Sequence, residues 1–594
     1  MRADPAEHEP VELRAGLLAA RYLAGFLTDV RIGADAVLDR VYPALRDPEW
    51  GTIPLTRVGT ELDAGDGTFD IRYRAHSRSD AVPFSLAVRF AASPGRLVAS
   101  MNAVADADVA INRVGFCLLH PLEVIGTPVD GLNGLDWIPR GEFPARISPV
   151  TLFGEISGMR YRTASGHLVS LRFSGDLFET EDQRNWIDGS FKTYGTPLRL
   201  PYPRAMRKGD MVEQSVVMEF PIASGGAGSR RRTARVTVGS TQARAPAIGI
   251  GASTSRTPPD AATLAAAREL APAHVGVEID LDSADWPARW ARAGAEADAV
   301  GAPLHAMLMA TDGTGFDDWA AAVTGERAGR VCRVAVYRAR SHVTHRGLVD
   351  DLRAALSRHG LSVPVGGGSR AHFAELNRIT YPLDSLDFVT YSANPQVHAD
   401  DVESIMKTPA GLQRTVVDAG RLVPGKPLVV GPVTFAPRFN PDAAADAPVL
   451  PPDSDEVADP RLAGDVGAAW TLAALQALGD ADSATLFQIA GPHGVLASEP
   501  AAGPTGAQQV LRWLARQPRR LLPTRCRGPV AALARADPDR GGVHLLLANL
   551  SDSDLEVEVS VAADGVPDRL TLSPFERRAT VAAVRTGTTR RPAP

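Results

Sequence analysis

A chain of 594 residues is too long for one hydrophobic core, because single cores stop growing near roughly 250–300 residues, so several domains are expected. With 44% hydrophobic and 22% charged residues, it has the composition of a globular protein and not of a disordered or fibrous one. Its 63 basic residues against 69 acidic ones leave a net charge of −6, which favours neither nucleic acid nor an anionic membrane, and a small molecule fits better as partner.

The three cysteines, Cys117, Cys332 and Cys526, are scattered and odd in number, so neither a disulfide framework nor a paired-cysteine zinc site follows from their spacing. The stretch Met1–Glu12 is acidic and polar, the reverse of a secretory signal, and no run of about 18 apolar residues occurs. These features place the expected location in the cytoplasm.

Along residues 1–223, short runs with period-2 alternation such as Thr68–Ala75, Phe84–Phe90, Leu168–Phe173 and Met211–Phe220 are broken by Gly, Asp and Pro turns. That pattern predicts an N-terminal antiparallel β-sandwich. Residues 224–244 read as a linker and first connection, with Ser224–Arg232 rich in Gly and Ser and closed by three arginines.

From 245 to 518 the rhythm changes to apolar runs alternating with Ala- and Leu-rich helical stretches, the pattern of parallel βαβ units. Eight strands are predicted: Ala247–Ala252, His274–Leu281, Pro303–Ala310, Arg330–Arg338, Val363–Ser369, Asp387–Asn394, Pro427–Phe435 and Ser483–Gly491. Helices are predicted between them at Pro259–Leu270, which starts on Pro, and at Leu348–His359, which ends at Gly360. Eight repeats over this length match a (β/α)8 TIM-like barrel, with an open doubly wound sheet as the alternative. The connection Pro437–Pro460 is long enough to be a lid or an insertion. After a helix at Ala507–Gln517, alternating runs at Val543–Asn549 and Leu555–Val561 predict a small C-terminal β-sandwich over 519–590, and the tail Gly587–Pro594 is polar.

Three segments are dense in functional groups: Asn112–Pro121 (NRVGFCLLHP), Glu179–Tyr194 (ETEDQRNWIDGSFKTY) and Asn394–Asp401 (NPQVHADD). The first suits a buried strand. The second is costly to bury unless its members pair with each other or with a ligand, and both readings stay open. The third follows the sixth predicted strand, and in a barrel the residues beyond the strand C-termini form the active face. On the second strand, alternation puts Gly276, Glu278 and Asp280 on one face, so Glu278 points into the barrel mouth or pairs with an arginine such as Arg338.

In order and spacing, these three segments resemble the hallmark segments of D-apionate lactonases. The resemblance continues through Arg46–Pro54 (RDPEWGTIP), Glu375–Arg378 (ELNR), Val433–Asn440 (VTFAPRFN) and Gly491–Val495 (GPHGV), and it covers the chain to about residue 500. It implies a hydrolase of carbohydrate catabolism that opens a branched-sugar lactone, D-apionolactone, to D-apionate. The chain departs from the family pattern at His305 and Gln488, each standing where the pattern carries a glutamate.

Lactone hydrolysis needs a base for water, donors for the developing oxyanion and groups that orient the sugar hydroxyls. His398 is the candidate base, since an imidazole exchanges protons near neutrality, with Glu278 as second catalytic candidate. Asn394, Gln396, Arg438, Asn377, Arg378 and Gln488 are candidate substrate-binding groups, and Arg184, Asn185 and Lys192 are expected to approach the same cavity. No G-x-S-x-G elbow or nucleotide-binding glycine motif is found, and no cofactor is implied. His342 and His345 lack acidic or Cys neighbours in sequence, so no metal site is predicted. The alternatives are a glycoside hydrolase, which needs two facing carboxylates, and a non-catalytic carbohydrate-binding relative.

Overall fold

The computed structural model describes residues 10–65, 67–222, 233–241, 245–324, 329–442, 458–496, 503–516, 521–536, 542–561 and 567–583. The chain divides into two compact units: Met1–Arg184 with Gly189–Arg230 and Asp442–Ala444, and Asn185–Asp188 with Arg231–Pro441 and Ala445–Pro594.

The first unit is built from an eight-stranded and a nine-stranded sheet, antiparallel throughout. In the eight-stranded sheet Asp35–Arg46 pairs with Arg113–Pro121, which pairs in turn with Ser190–Tyr194 and that with Phe178–Asp182. In the nine-stranded sheet Thr68–Ser77, Phe84–Ser93, Arg96–Ala105, Met211–Glu219 and Leu168–Ser174 lie side by side. The period-2 alternation decides which face is buried: Phe84, Leu86, Val88 and Phe90 point into the core while Ala87 and Arg89 are exposed. Those side chains meet Phe116 and Leu118 of the other sheet in one core. Each such side chain contributes about 1.5–3 kcal/mol by leaving water.

In the second unit eight parallel strands close into a barrel: β1 (Ala247–Gly251), β2 (Val275–Asp280), β3 (Leu304–Ala310), β4 (Val331–Arg338), β5 (Val365–Gly368), β6 (Phe388–Ala393), β7 (Leu428–Val433) and β8 (Ser483–Gln488). Both faces of these strands are covered, so most read as continuous apolar runs; every residue of β3 and of β6 is buried. The helix Ala261–Glu269 starts where Asp260 accepts the Thr263 N–H at 2.8 Å. The helix Arg346–Arg358 buries Leu348, Leu352 and Leu356 along one stripe and stops before Gly360, whose φ of +67° a side chain would resist. Inside the barrel Gly249 has no Cβ because His274 fills that space; a Cβ would lie 2.3 Å from its ring.

The remaining strands of this unit form two four-stranded sheets around a shared apolar core that includes Val236, Val238, Leu545, Leu547, Val557 and Leu572. One strand of this C-terminal sandwich comes from the stretch expected to be a linker: Thr233–Val238 runs parallel to Leu555–Val561 and antiparallel to Thr524–Arg527. Its alternation of buried Ala234, Val236 and Val238 with Arg235 and Thr237 is a strand pattern. Ser224–Arg232, residues 443–457 of the expected lid and the tail from Gly587 lie outside the described residues. Among the described residues no helix is long and apolar enough to cross a membrane.

Candidate active site

Glu278 lies on the inward face of β2, as the alternation requires, two residues beyond Gly276. Its Oε1 accepts from Nε of Arg370 at 2.7 Å and from Nη1 of Arg438 at 2.6 Å. Arg370 stands two residues past β5 and Arg438 five residues past β7, so loops at the C-terminal ends of two strands meet on a carboxylate carried by a third, β2. Arg438 also donates through Nη2 to the Arg370 carbonyl at 2.6 Å and to Ser392 Oγ at 2.8 Å. The partner of Glu278 is therefore not Arg338. Burial raises the Glu278 carboxyl, but the two guanidiniums outweigh it and hold the group well below the usual carboxylate range.

Three histidines surround this ion cluster. Burial, helped by the positive field of Arg370 and Arg438, pushes His342 down to about 4. His372 is pushed to about 3 by burial, then by Arg438, His398 and His342, and His493 to about 4 by burial and Arg438. All three are neutral near pH 7. His342 sits at φ +58°, and its ring lies 4.6 Å from that of Phe439, which also carries the guanidiniums of Arg370 and Arg438 over its face at 4.3 and 5.1 Å. His372 caps the helix Phe373–Arg378 by accepting the Glu375 N–H, while Glu375 accepts the His372 N–H at 2.8 Å.

His398 follows β6, and its Nδ1 lies 2.8 Å from Asp188 Oδ2. A carboxylate only accepts, so this contact puts a proton on Nδ1 and leaves Nε2 outside the contact with Asp188. Trp186 packs edge-on against the His398 ring at 5.2 Å and lies under the Arg378 guanidinium at 4.8 Å. Asn185 accepts from Asn377 Nδ2 at 3.0 Å. Thus Asn185–Asp188, Asn377, Arg378 and His398 form one connected group in the barrel-bearing unit.

Other expected site residues are engaged with the protein itself. Asn394 is buried and its Oδ1 accepts the Gln396 N–H at 3.1 Å. Gln396 donates through Nε2 to the Phe435 carbonyl and to Asp459, at 2.7 and 2.8 Å, tying the loops after β6 and β7 together. Gln488 ends β8 behind Phe487, a non-glycine residue at φ +53°, and accepts from Thr254 Oγ1 at 2.8 Å. His305 is level with Arg333 in the β3–β4 register, one inward-facing layer below Glu278 and toward the N-terminal end of the barrel.

Arg184 and Lys192 belong to the first unit. Arg184 is fully buried against Asp182, donating at 2.7 Å to Oδ1 and 2.6 Å to Oδ2, and its remaining N–H groups go to the carbonyls of Pro144, Ala145 and Arg146. Lys192 pairs with Glu181 and lies over the Tyr194 ring. Both take the self-paired arrangement.

Reading residues in sequence missed Arg370, His372 and the partnership of Asp188 with His398. Arg370 was within reach, being two residues beyond a strand C-terminus. Asp188 was not, because it meets His398 across 210 residues of chain. Among the described residues no group of three or more His, Cys, Asp or Glu side chains is arranged to hold a metal ion. What the site offers is an imidazole oriented by a carboxylate, a pair of guanidiniums and neutral imidazoles at the C-terminal end of the barrel strands.

Residues 1–222 match the D-apionate lactonase N-terminal domain, and residues 248–519 match the D-apionate lactonase TIM barrel domain. A D-apionate lactonase from Brucella anthropi is 29% identical over 521 residues, which span 83% of this chain and 84% of that protein. Among solved structures, a family 51 α-L-arabinofuranosidase from Bifidobacterium longum is 13% identical with a TM-score of 0.42, covering 59% of this chain and 100% of that one. A GH30 endoxylanase from Clostridium papyrosolvens is 11% identical with a TM-score of 0.38, covering 59% of this chain and 100% of that one. Matched in order by both domains over most of its length, the chain belongs to the D-apionate lactonase family as a divergent member.

Proposed function

We propose that this protein hydrolyses a five-membered sugar lactone of the D-apionolactone type to its aldonate, with His398 as general base. The observation that carries this reading is the 2.8 Å contact of His398 Nδ1 with Asp188, which leaves Nε2 to take a proton from water. The hydroxide equivalent attacks the lactone carbonyl carbon, and the negative charge moves to the carbonyl oxygen. Arg438 and Arg370 supply fixed positive charge for that oxyanion, already oriented by Glu278, so little reorganisation is needed as charge develops. When the ring C–O bond breaks, the imidazolium returns its proton to the departing alkoxide, leaving a hydroxyl and a carboxylic acid, and the acid then ionises to the carboxylate by releasing its proton to solvent. His372 lies near enough to both Arg438 and His398 for each to act on its titration, which is consistent with base and cations serving one substrate.

Glu278 in this scheme positions the guanidiniums; a carboxylate held so strongly is a poor base. Asn394, Asn377 and Arg378 remain candidates for the sugar hydroxyls. The test is acid release from a panel of aldonolactones that includes D-apionolactone, with aryl glycosides assayed alongside. Opening of a lactone is expected. Glycoside cleavage without lactone opening would replace this reading by a glycosidase, and binding of lactone without turnover by a carbohydrate-binding role.

A further inference from the structure

Below the mouth, at the N-terminal end of the barrel interior, lies a second polar group that the proposed reaction does not use. His305 on β3 and Arg333 on β4 are register partners on adjacent strands, roughly 4.8 Å apart in the pairing direction. Arg333 Nη2 is engaged, donating to Ser483 Oγ at 2.8 Å and lying 3.1 Å from His274 Nδ1. Its Nε is buried with no partner. His305 is 1% exposed, and neither of its ring nitrogens has a hydrogen-bond partner. His274 lies 5.5 Å away, ring centre to ring centre, and is held by Thr485 Oγ1 at 2.7 Å. The Phe388 ring closes one side, 5.8 Å from His305 and 5.9 Å from the Arg333 guanidinium.

The charge balance is one-sided. Burial, and then Arg333, push both imidazoles well below their ordinary value, so both are neutral and Arg333 is the single charge of the group. Among the described residues no carboxylate pairs with it. A guanidinium N–H and a neutral imidazole N–H are donors, and a buried donor without an acceptor costs about 1–3 kcal/mol. Arg333 as a whole is part-buried, so solvent screens some of its charge; at the buried Nε and the His305 ring, water would meet the donors alone, whereas an anion also supplies counter-charge.

We infer that Arg333, His305 and His274 form a binding site for a small monovalent anion of chloride size inside the N-terminal end of the barrel. The anion accepts from Arg333 Nε and from one His305 nitrogen, and serves as counter-ion to the guanidinium. This site is independent of lactone chemistry and stands whether or not the lactonase reading does.

The test uses the full-length protein exchanged into sodium methanesulfonate and titrated with chloride or bromide at constant ionic strength while its unfolding temperature is followed. A saturable rise of about 2 °C or more is expected with either halide, and its loss in His305→Phe and Arg333→Met. Crystals grown in bromide should show an anomalous peak within hydrogen-bonding reach of Arg333 Nε and the His305 ring. A response that does not saturate, or a water with no anomalous signal at that position, overturns the inference. Should either variant fail to fold, the bromide crystal decides alone.

Discussion

Glu278 and Arg438 lie 160 residues apart in sequence, yet Arg438 Nη1 meets Glu278 Oε1 at 2.6 Å at the mouth of the barrel. With Arg370 on the same oxygen, the carboxylate screens two cations from each other. Glu278→Gln would leave them facing each other with no counter-charge. The expected loss of stability is about 2–3 kcal/mol, less than for a fully buried pair because a fifth of the carboxylate side chain stays exposed. Since the folded state depresses the Glu278 carboxyl, its contribution is complete above about 4.3, the value for an unperturbed glutamate, and fades as pH falls toward the depressed value. Unfolding temperatures of wild type and Glu278→Gln should therefore differ most above pH 5 and converge in stronger acid. A gap that widens on acidification would contradict this sign.

If His398 takes the proton from water, His398→Ala should lower kcat by roughly 10²-fold or more, within the range that positioned acid–base groups contribute. Asp188→Asn keeps the size of the partner but turns an acceptor that fixes the tautomer into an amide that can donate. It should reduce kcat about 10-fold or more with a smaller change in KM. Initial rates of lactone opening across substrate concentration separate the two parameters. An Asp188→Asn enzyme with wild-type kcat would reduce Asp188 to a structural contact.

The eight barrel strands were legible because each is an apolar run bounded by turn residues, and their ends fall within a few residues of the expected positions. Glu278 was legible for a related reason: period-2 alternation on β2 fixes its face whatever the rest of the chain does. What was not legible depends on partners distant in sequence. Thr233–Val238 reads locally as a strand, but nothing local says that it joins Leu555–Val561 more than 300 residues later. The pairing of Asp188 with His398, and the choice of Arg370 and Arg438 over Arg338 as partners of Glu278, likewise follow from barrel closure and loop path.

Arg184 illustrates the cost of a buried pair. Both it and Asp182 are fully buried, and the guanidinium also satisfies three backbone carbonyls. Arg184→Ala removes the cation that neutralises the Asp182 carboxylate, which keeps backbone N–H donors from Ser148 and from position 184, and takes the guanidinium donors away from three carbonyls. A destabilisation of about 3–5 kcal/mol is expected, readable as a lower midpoint in urea for the transition of the first unit. A shift under about 1 kcal/mol would mean that water enters and takes over those bonds.

Gln488 stands at the end of β8, where the family resemblance leads one to expect a glutamate. The amide oxygen accepts from Thr254 Oγ1 at 2.8 Å, a bond that a carboxylate oxygen makes equally well. Gln488→Glu is isosteric and keeps that acceptor, so the fold should tolerate it with a change in unfolding temperature of no more than about 2 °C. The catalytic expectation follows from where the base is placed. If His398 with Asp188 supplies the proton transfer, as proposed, position 488 is not required to carry a charge, and the wild-type protein should open the lactone without it. Acid release from D-apionolactone by wild type and Gln488→Glu, measured side by side, tests this directly. If wild type is inert and Gln488→Glu turns over, the proton-transfer role belongs to position 488 and this chain is a binding relative that lost it. If both are active within about 10-fold, the imidazole reading holds and the glutamine is a neutral replacement.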